Sequence, residues 1–176
     1  MFDFLRTLIN FFEQNNIAYM LSGSVAMSIY TLPRFTRDFD FIVHLRPENV
    51  APLMEQFKEG YYCDENSVRQ AVASKGMFNI IDHKSSYKAD FMILKDEPYR
   101  QTEFDRRSKL VFLNMSIYIV SPEDLLISKL IWIQQIQSGL QIEDIKTLVE
   151  LPEMDWIYVR QWINTLKLNT FNLLNV

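Results

Sequence analysis

Asp38 and Asp40 stand two residues apart in Asp38-Phe39-Asp40-Phe41. On an extended strand, residues i and i+2 leave the same face, so the two carboxylates are expected side by side while Phe39 and Phe41 turn into a core. Carboxylates held this way repel each other unless a cation lies between them, and an all-oxygen, doubly anionic site suits a hard ion such as magnesium. Asp90, between Ala89 and Phe91 in a second apolar run, could complete a triad. Taken singly, each acid has a plainer reading as a solvent-facing residue at a strand end. Lys88, two before Asp90 and on the same face, could neutralise a phosphate or merely lower the Asp90 pKa as a neighbour, and it is left out of the catalytic set.

Gly23-Ser24 follows an apolar stretch and opens a helical one. Backbone N–H groups at such a point, with the helix dipole behind them, favour a phosphate. Glycine lets a phosphate approach the backbone, and the Ser24 hydroxyl could cap the helix or donate to a phosphate oxygen. Capping alone is the plainer reading for Ser24.

The elements that must position these residues read as follows. Phe2, Leu5, Leu8, Ile9 and Phe12 fall at helical spacing, stopped by Asn15-Asn16. A strand over 17–21, the turn at 22–24 and a helix over 25–30 come next, the helix ending before Pro33. A strand over 37–45, a helix over 47–57 and a helix over 65–73 follow. Strands over 77–82 and 87–94 could form a hairpin. The polar stretch 97–107 reads as helix, and 109–120 as two short strands about Asn114.

From Ser121 the texture becomes helical throughout. Ser121-Pro122-Glu123-Asp124 supplies a capping serine, a first-turn proline and an acid three residues on. The first tail helix is expected to run to about Gln137 and to end at Ser138-Gly139. A second covers 141–150, and a third 155–168 carries Trp156, Val159, Trp162 and Ile163 on one face. The domain reading is a mixed α/β core over 1–120 and a helical subdomain over 121–176.

At 176 residues and 48% hydrophobic, the chain is long enough for one buried core but short for two full domains. No apolar run approaches the roughly 20 residues that span a bilayer, and Met1 leads directly to Asp3 and Arg6, so a soluble, cytoplasmic protein with no membrane partner is expected. The formal net charge of -4 argues against a broad basic surface for duplex nucleic acid. Cys63 is the one cysteine, so the chain alone builds neither a disulfide nor a cysteine-ligated zinc site. His44 and His83 are too few for a histidine cluster and read as ordinary polar residues.

The order apolar strand, Gly23-Ser24, Asp38-x-Asp40 in apolar flanks, and later Asp90 resembles the nucleotidyltransferase superfamily that includes DNA polymerase β. The resemblance implies an α/β (α+β) fold, a mixed sheet flanked by helices, with a C-terminal helical tail. It also implies roles. The Gly23-Ser24 turn would grip a nucleoside triphosphate, Asp38 and Asp40 would hold Mg2+ or Mn2+, and Asp90 would share a metal and serve as base. The reaction implied is transfer of a nucleoside monophosphate to an acceptor hydroxyl on RNA, protein or a small molecule.

A narrower likeness lies in Arg34-Phe35-Thr36-Arg37-Asp38-Phe39-Asp40 and in Ser121-Pro122-Glu123-Asp124-Leu125 with Lys129 following. These segments are similar to AbiEii/AbiGii-type nucleotidyltransferases, in which the second motif's helix carries a lysine and the next helix an acid. By that likeness Lys129 and Asp144 would meet the nucleotide, and Arg34 would contact phosphate with Thr36 supporting the loop. Those chains generally carry a longer helical region than 121–176, which leaves the acceptor surface open. Without the likeness, Lys129 and Asp144 read as a structural ion pair or as solvated residues. Two rival readings remain: a silent nucleotide-binding module of the same fold, and a toxin-antitoxin interaction partner that works through its tail.

Overall fold

Three phenylalanines on neighbouring strands set the frame. In the computed structural model, which describes residues 2–33 and 35–174, β1 (Tyr19–Ser22), β2 (Asp38–Val43), β3 (Tyr61–Tyr62), β4 (Met77–Asp82), β5 (Lys88–Ile93), β6 (Ser108–Phe112) and β7 (Met115–Ile119) form one sheet in the order β3-β4-β5-β2-β1-β7-β6. Strands β2 and β5 are parallel, as are β1 and β7, and the other pairs are antiparallel. Phe41 of β2 and Phe78 of β4 both lie opposite Phe91 of β5, with ring centroids 5.7 and 4.9 Å apart. Each such aromatic pair contributes about 0.5–1.5 kcal/mol beyond its buried area. Slipping one strand by a residue would turn every ring to the other face, so the ladder pins the register.

One face of the sheet is the apolar one. Helix α1 (Phe2–Gln14) lays Phe4, Leu5, Leu8, Ile9, Phe11 and Phe12 on it, and Asn16 ends that helix at a φ of 51°, a conformation asparagine tolerates. Helices α3 (Val50–Gln56) and α4 (Glu65–Ser74) add Val50, Leu53, Val68 and Ala71 to the same core. Against Asp38-Phe39-Asp40-Phe41, this core explains why Phe39 and Phe41 are 1% and 0% exposed.

The opposite face is divided along its length. Met20, Ile42 and Ile119 are covered by helix α2 (Gly23–Tyr30) and by the tail helices α6 (Pro122–Ile133), α7 (Gly139–Val149) and α8 (Trp156–Leu166), with α5 (Pro98–Asp105) alongside. Beyond them, toward the start of β2 and β5 and the end of β1, the face turns polar. Among the described residues no helix is long and apolar enough to cross a membrane.

The tail is tied down by buried polar groups. Ser121 caps α6 by accepting the Asp124 N–H at 3.1 Å, with Pro122 in the first turn. Asp124 accepts from Arg106 Nε at 3.0 Å, from Ser121 Oγ at 2.8 Å and from Tyr158 Oη at 2.6 Å, while Glu123 accepts from Arg106 and from the Asp155 N–H. Arg106 lies 3.8 Å from the Tyr158 ring centroid. One arginine thus joins α5, α6 and α8.

Three local expectations differ from the structure. The two-residue β3 was not legible, because Tyr61-Tyr62 is too short for any period and exists only by pairing with β4. The stretch 47–57 begins as a 3-10 turn over Pro47–Asn49 before α3. Helix α6 stops at Ile133, and Ser138-Gly139 begins α7, where the Ser138 side chain accepts the Gln141 N–H at 3.3 Å.

Candidate active site

Because the ladder of rings fixes register on one face, it also aligns what stands on the other. Ser22, Asp40, Asp90 and Asn79 are successive partners across β1, β2, β5 and β4, and Asp38 lies opposite Lys88 one step along. Asp38, Asp40 and Asp90 therefore share one face and one end of the sheet. Lys88 Nζ lies 2.7 Å from Asp90 and 3.8 Å from Asp38, so the ammonium stands between two of the three carboxylates. Hydrogen bonding to Asp90 raises the Lys88 pKa above its usual value against a smaller opposing effect of burial.

Asp40 and Asp90 are half-buried, whereas Asp38 is exposed. Burial raises the Asp40 pKa above the usual carboxylate value, and the charges of Asp90 and Asp38 push the same way. The Ser24 backbone N–H, which donates to the Asp40 carboxylate, and the charge of Lys129 oppose that rise. The Gly23 requirement follows from the same contact. A Cβ built on Gly23 would lie 1.9 Å from Asp40 Oδ2, and Gly23 has a φ of +62°. Only glycine permits both the backbone conformation and the close seat of the carboxylate.

The turn differs in one respect from the sequence expectation. Ser22 rather than Ser24 occupies the N-cap of α2, with no side-chain cap bond, and Ser24 lies inside the first turn, its carbonyl accepting from Ser28 Oγ at 2.9 Å. Thr36 Oγ1 accepts the Asp38 N–H at 3.2 Å and so steadies the entry to β2. Phe35, on the same loop, is 76% exposed. Arg34 lies outside the described residues.

Lys129 and Asp144 come together. On the consecutive helices α6 and α7, Lys129 Nζ donates to Asp144 Oδ2 at 2.7 Å and to Gln141 at 3.3 Å, and both members of the pair are buried. Neither is a solvated surface residue. The Lys129 charge is felt at Asp40, and α6 packs against α2, the helix that the Gly23 turn opens. His44 and His83 are exposed, and Cys63 is half-buried with its thiol pushed up to about 11 by burial.

Lys88, Ser22, Asn79 and Gln141 are the members that sequence reasoning left out. Lys88 carried a usable signal, the same i, i+2 spacing to Asp90 that joins Asp38 to Asp40. Ser22 and Asn79 carried none, since their place in the row depends on the register of strands distant in sequence.

The donor set suits a hard cation: three carboxylates on adjacent strands, with Lys88 already standing among them as a positive charge. Among the described residues, however, no three His, Cys, Asp or Glu side chains are gathered closely enough to hold a metal ion as they stand. Asp38, half exposed, is paired with Lys88.

A mixed sheet flanked by helices, with an acid row at one end beside a glycine turn, is the nucleotidyltransferase fold. The profile of one family, described as nucleotidyltransferase of unknown function (DUF6036), matches residues 2–174, and the chain belongs to that family. No curated protein sequence matches it. Among solved structures, the antibiotic-resistance factor ANT(2'')-Ia in solution is similar with a TM-score of 0.63 and 11% identity, over 93% of this chain and 90% of that one. ANT(2'')-Ia in complex with adenylyl-2''-tobramycin is similar with a TM-score of 0.58 and 11% identity, over 94% and 97%. The lincosamide antibiotic adenylyltransferase LnuA, lincomycin-bound, shows a TM-score of 0.54 and 17% identity, over 84% and 95%. At these identities the likeness is one of fold.

Proposed function

We propose that this nucleotidyltransferase moves a nucleoside monophosphate from a nucleoside triphosphate to an acceptor hydroxyl, using Mg2+ or Mn2+ held by Asp38, Asp40 and Asp90. The observation that carries the reading is the register-locked pair Asp40 and Asp90, with Asp38 beside them and the Gly23 turn packed directly on Asp40. When bound, the cations would neutralise the triphosphate and make the acceptor hydroxyl more acidic.

The chain's own residues divide the remaining work. The first turn of α2 directs backbone N–H groups and its dipole at the phosphates. Lys129, fixed by Asp144 and Gln141, supplies positive charge from the tail side, and Arg34 would add a phosphate contact. The acceptor oxygen forms a bond to the α-phosphorus while the bond from that phosphorus to the bridging oxygen breaks. Pyrophosphate leaves with the electron pair, and the acceptor proton passes to Asp90. On this reading residues 1–120 hold the chemistry, and 121–176 form a subdomain that covers the nucleotide.

The finer likeness to AbiEii/AbiGii-type enzymes is supported by the Lys129–Asp144 pairing on consecutive helices. As acceptor we favour a hydroxylated small molecule. The net charge of -4 disfavours a polyanion, and both the lincosamide antibiotic adenylyltransferase and the protein in complex with adenylyl-2''-tobramycin are matched over most of their length. A cytoplasmic site, where nucleoside triphosphates are abundant, accords with it.

The test is incubation with each α-labelled nucleoside triphosphate, Mg2+ or Mn2+, and separated RNA, protein and small-molecule fractions of cell extract. Label is expected in the small-molecule fraction, with pyrophosphate released, and neither with Asp40→Asn. Nucleotide binding without pyrophosphate release in any fraction would make the protein a silent module.

A further inference from the structure

We propose that the Lys88 ammonium is the resident counter-ion of the acid row: it holds Asp38 and Asp90 in the metal-free protein and yields that place when a divalent cation enters. The inference rests on the metal-dependent reading above and assigns a role in it to a residue outside the three acids.

Three observations carry it. Lys88 lies opposite Asp38 and two before Asp90 on one strand face, so a single ammonium reaches both carboxylates, at 3.8 and 2.7 Å. Lys129, whose charge is felt at Asp40, is committed to Asp144 and Gln141. The Lys88 side chain also keeps 35% of its surface exposed, unlike that of Lys129 at 7%. It is thus held at its tip by the acids and not enclosed along its length.

Ammonium and metal ion compete for the same oxygen lone pairs. A lysine is suited to yielding, because it is a point charge on a flexible stem, whereas a guanidinium would grip the carboxylates in a planar fork. Lys88 keeps its proton as it leaves, so its charge becomes available to an incoming triphosphate. The apparent metal affinity is then lowered by the fraction of molecules in which Lys88 still occupies the row.

The experiment measures Mn2+ binding to the full chain, without nucleotide, from the loss of the free-ion signal in electron paramagnetic resonance. Wild type, Lys88→Met, Lys88→Arg and Asp40→Asn are compared. Lys88→Met is expected to bind Mn2+ about tenfold more tightly than wild type, because a positive charge beside the site is gone. Lys88→Arg should bind no more tightly than wild type. Metal-free Lys88→Met should also melt lower than wild type, and Mn2+ should raise its Tm by more. If Lys88→Met does not fold, Lys88→Gln takes its place.

A folded Lys88→Met that binds Mn2+ equally or more weakly, while wild type binds and Asp40→Asn does not, overturns this role alone and makes Lys88 a support for the acids. Absence of Mn2+ binding in both wild type and Lys88→Met overturns the metal reading and this inference with it.

Discussion

Where α5 meets the tail, Asp124 accepts hydrogen bonds from Arg106, Ser121 and Tyr158, and Glu103 accepts from Arg100 and Ser128. In the acid row, among the described residues, Asp38 and Asp90 share the ammonium of Lys88, while Asp40 meets the Ser24 N–H. Both groups are acidic and both pack against apolar cores, yet they are compensated differently. Burial raises the pKa of Glu103 and of Asp40 alike, but Arg100 offsets it at Glu103, whereas Asp90 adds to it at Asp40. Acids with dedicated partners fix the placement of helices. Acids left to repel one another keep an affinity for an incoming cation, which accords with the metal-holding role proposed for the row.

The sharpest way to break the comparison is to neutralise one member of each group. Asp40→Asn, and likewise Asp38→Asn, should lower nucleotide transfer by about 10^2–10^3-fold or more, with urea-denaturation stability unchanged or raised. A parallel loss of folding in Asp40→Asn would place the row with the structural acids. Asp124→Ala should do the reverse, costing about 3–5 kcal/mol in the same denaturation measurement, since Arg106 and Tyr158 lose a buried partner.

The Lys129–Asp144 pair has features of both groups, being buried like the tail network while the Lys129 charge is felt at Asp40. Lys129→Met alone should cost about 3 kcal/mol by taking the buried ammonium away from Asp144. The double variant with Asp144→Asn should recover most of that stability without recovering triphosphate affinity, read by calorimetric titration. Recovery of both would reduce the pair to packing.

Gly23→Ala is expected to cost about 1–3 kcal/mol through its φ and its clash with Asp40, and to lower transfer as the carboxylate is pushed aside. The smallest effect concerns pH. The folded Asp40 pKa lies above the unfolded one, so its contribution favours folding fully below the unfolded value and is lost as pH rises through the folded value. In chelator, wild-type stability relative to Asp40→Asn should therefore decline as pH rises through that window and then level off. A difference that does not vary with pH would show that Asp40 is not under the strain its neighbours imply.

Much of this arrangement was legible before any tertiary contact. The period-two spacing of Asp38 and Asp40 against Phe39 and Phe41 assigned a face to each, because alternation on a strand is a local property. The caps at Ser121 and the αL stop at Asn16 are local as well. Helix ends inside the tail were less legible, since Ser138 can close one helix or open the next, and only its bond to Gln141 decided.

The residue types thus determined by themselves which atoms could do chemistry and which strand faces they occupy. The tertiary structure decided which of those faces coincide. Whether Asp90 stands beside Asp40, whether Lys88 reaches Asp38, and why residue 23 must be glycine all depend on pairing between segments far apart in the chain. That pairing is set by the Phe41, Phe91 and Phe78 ladder, a non-local packing event whose partners no local period can specify.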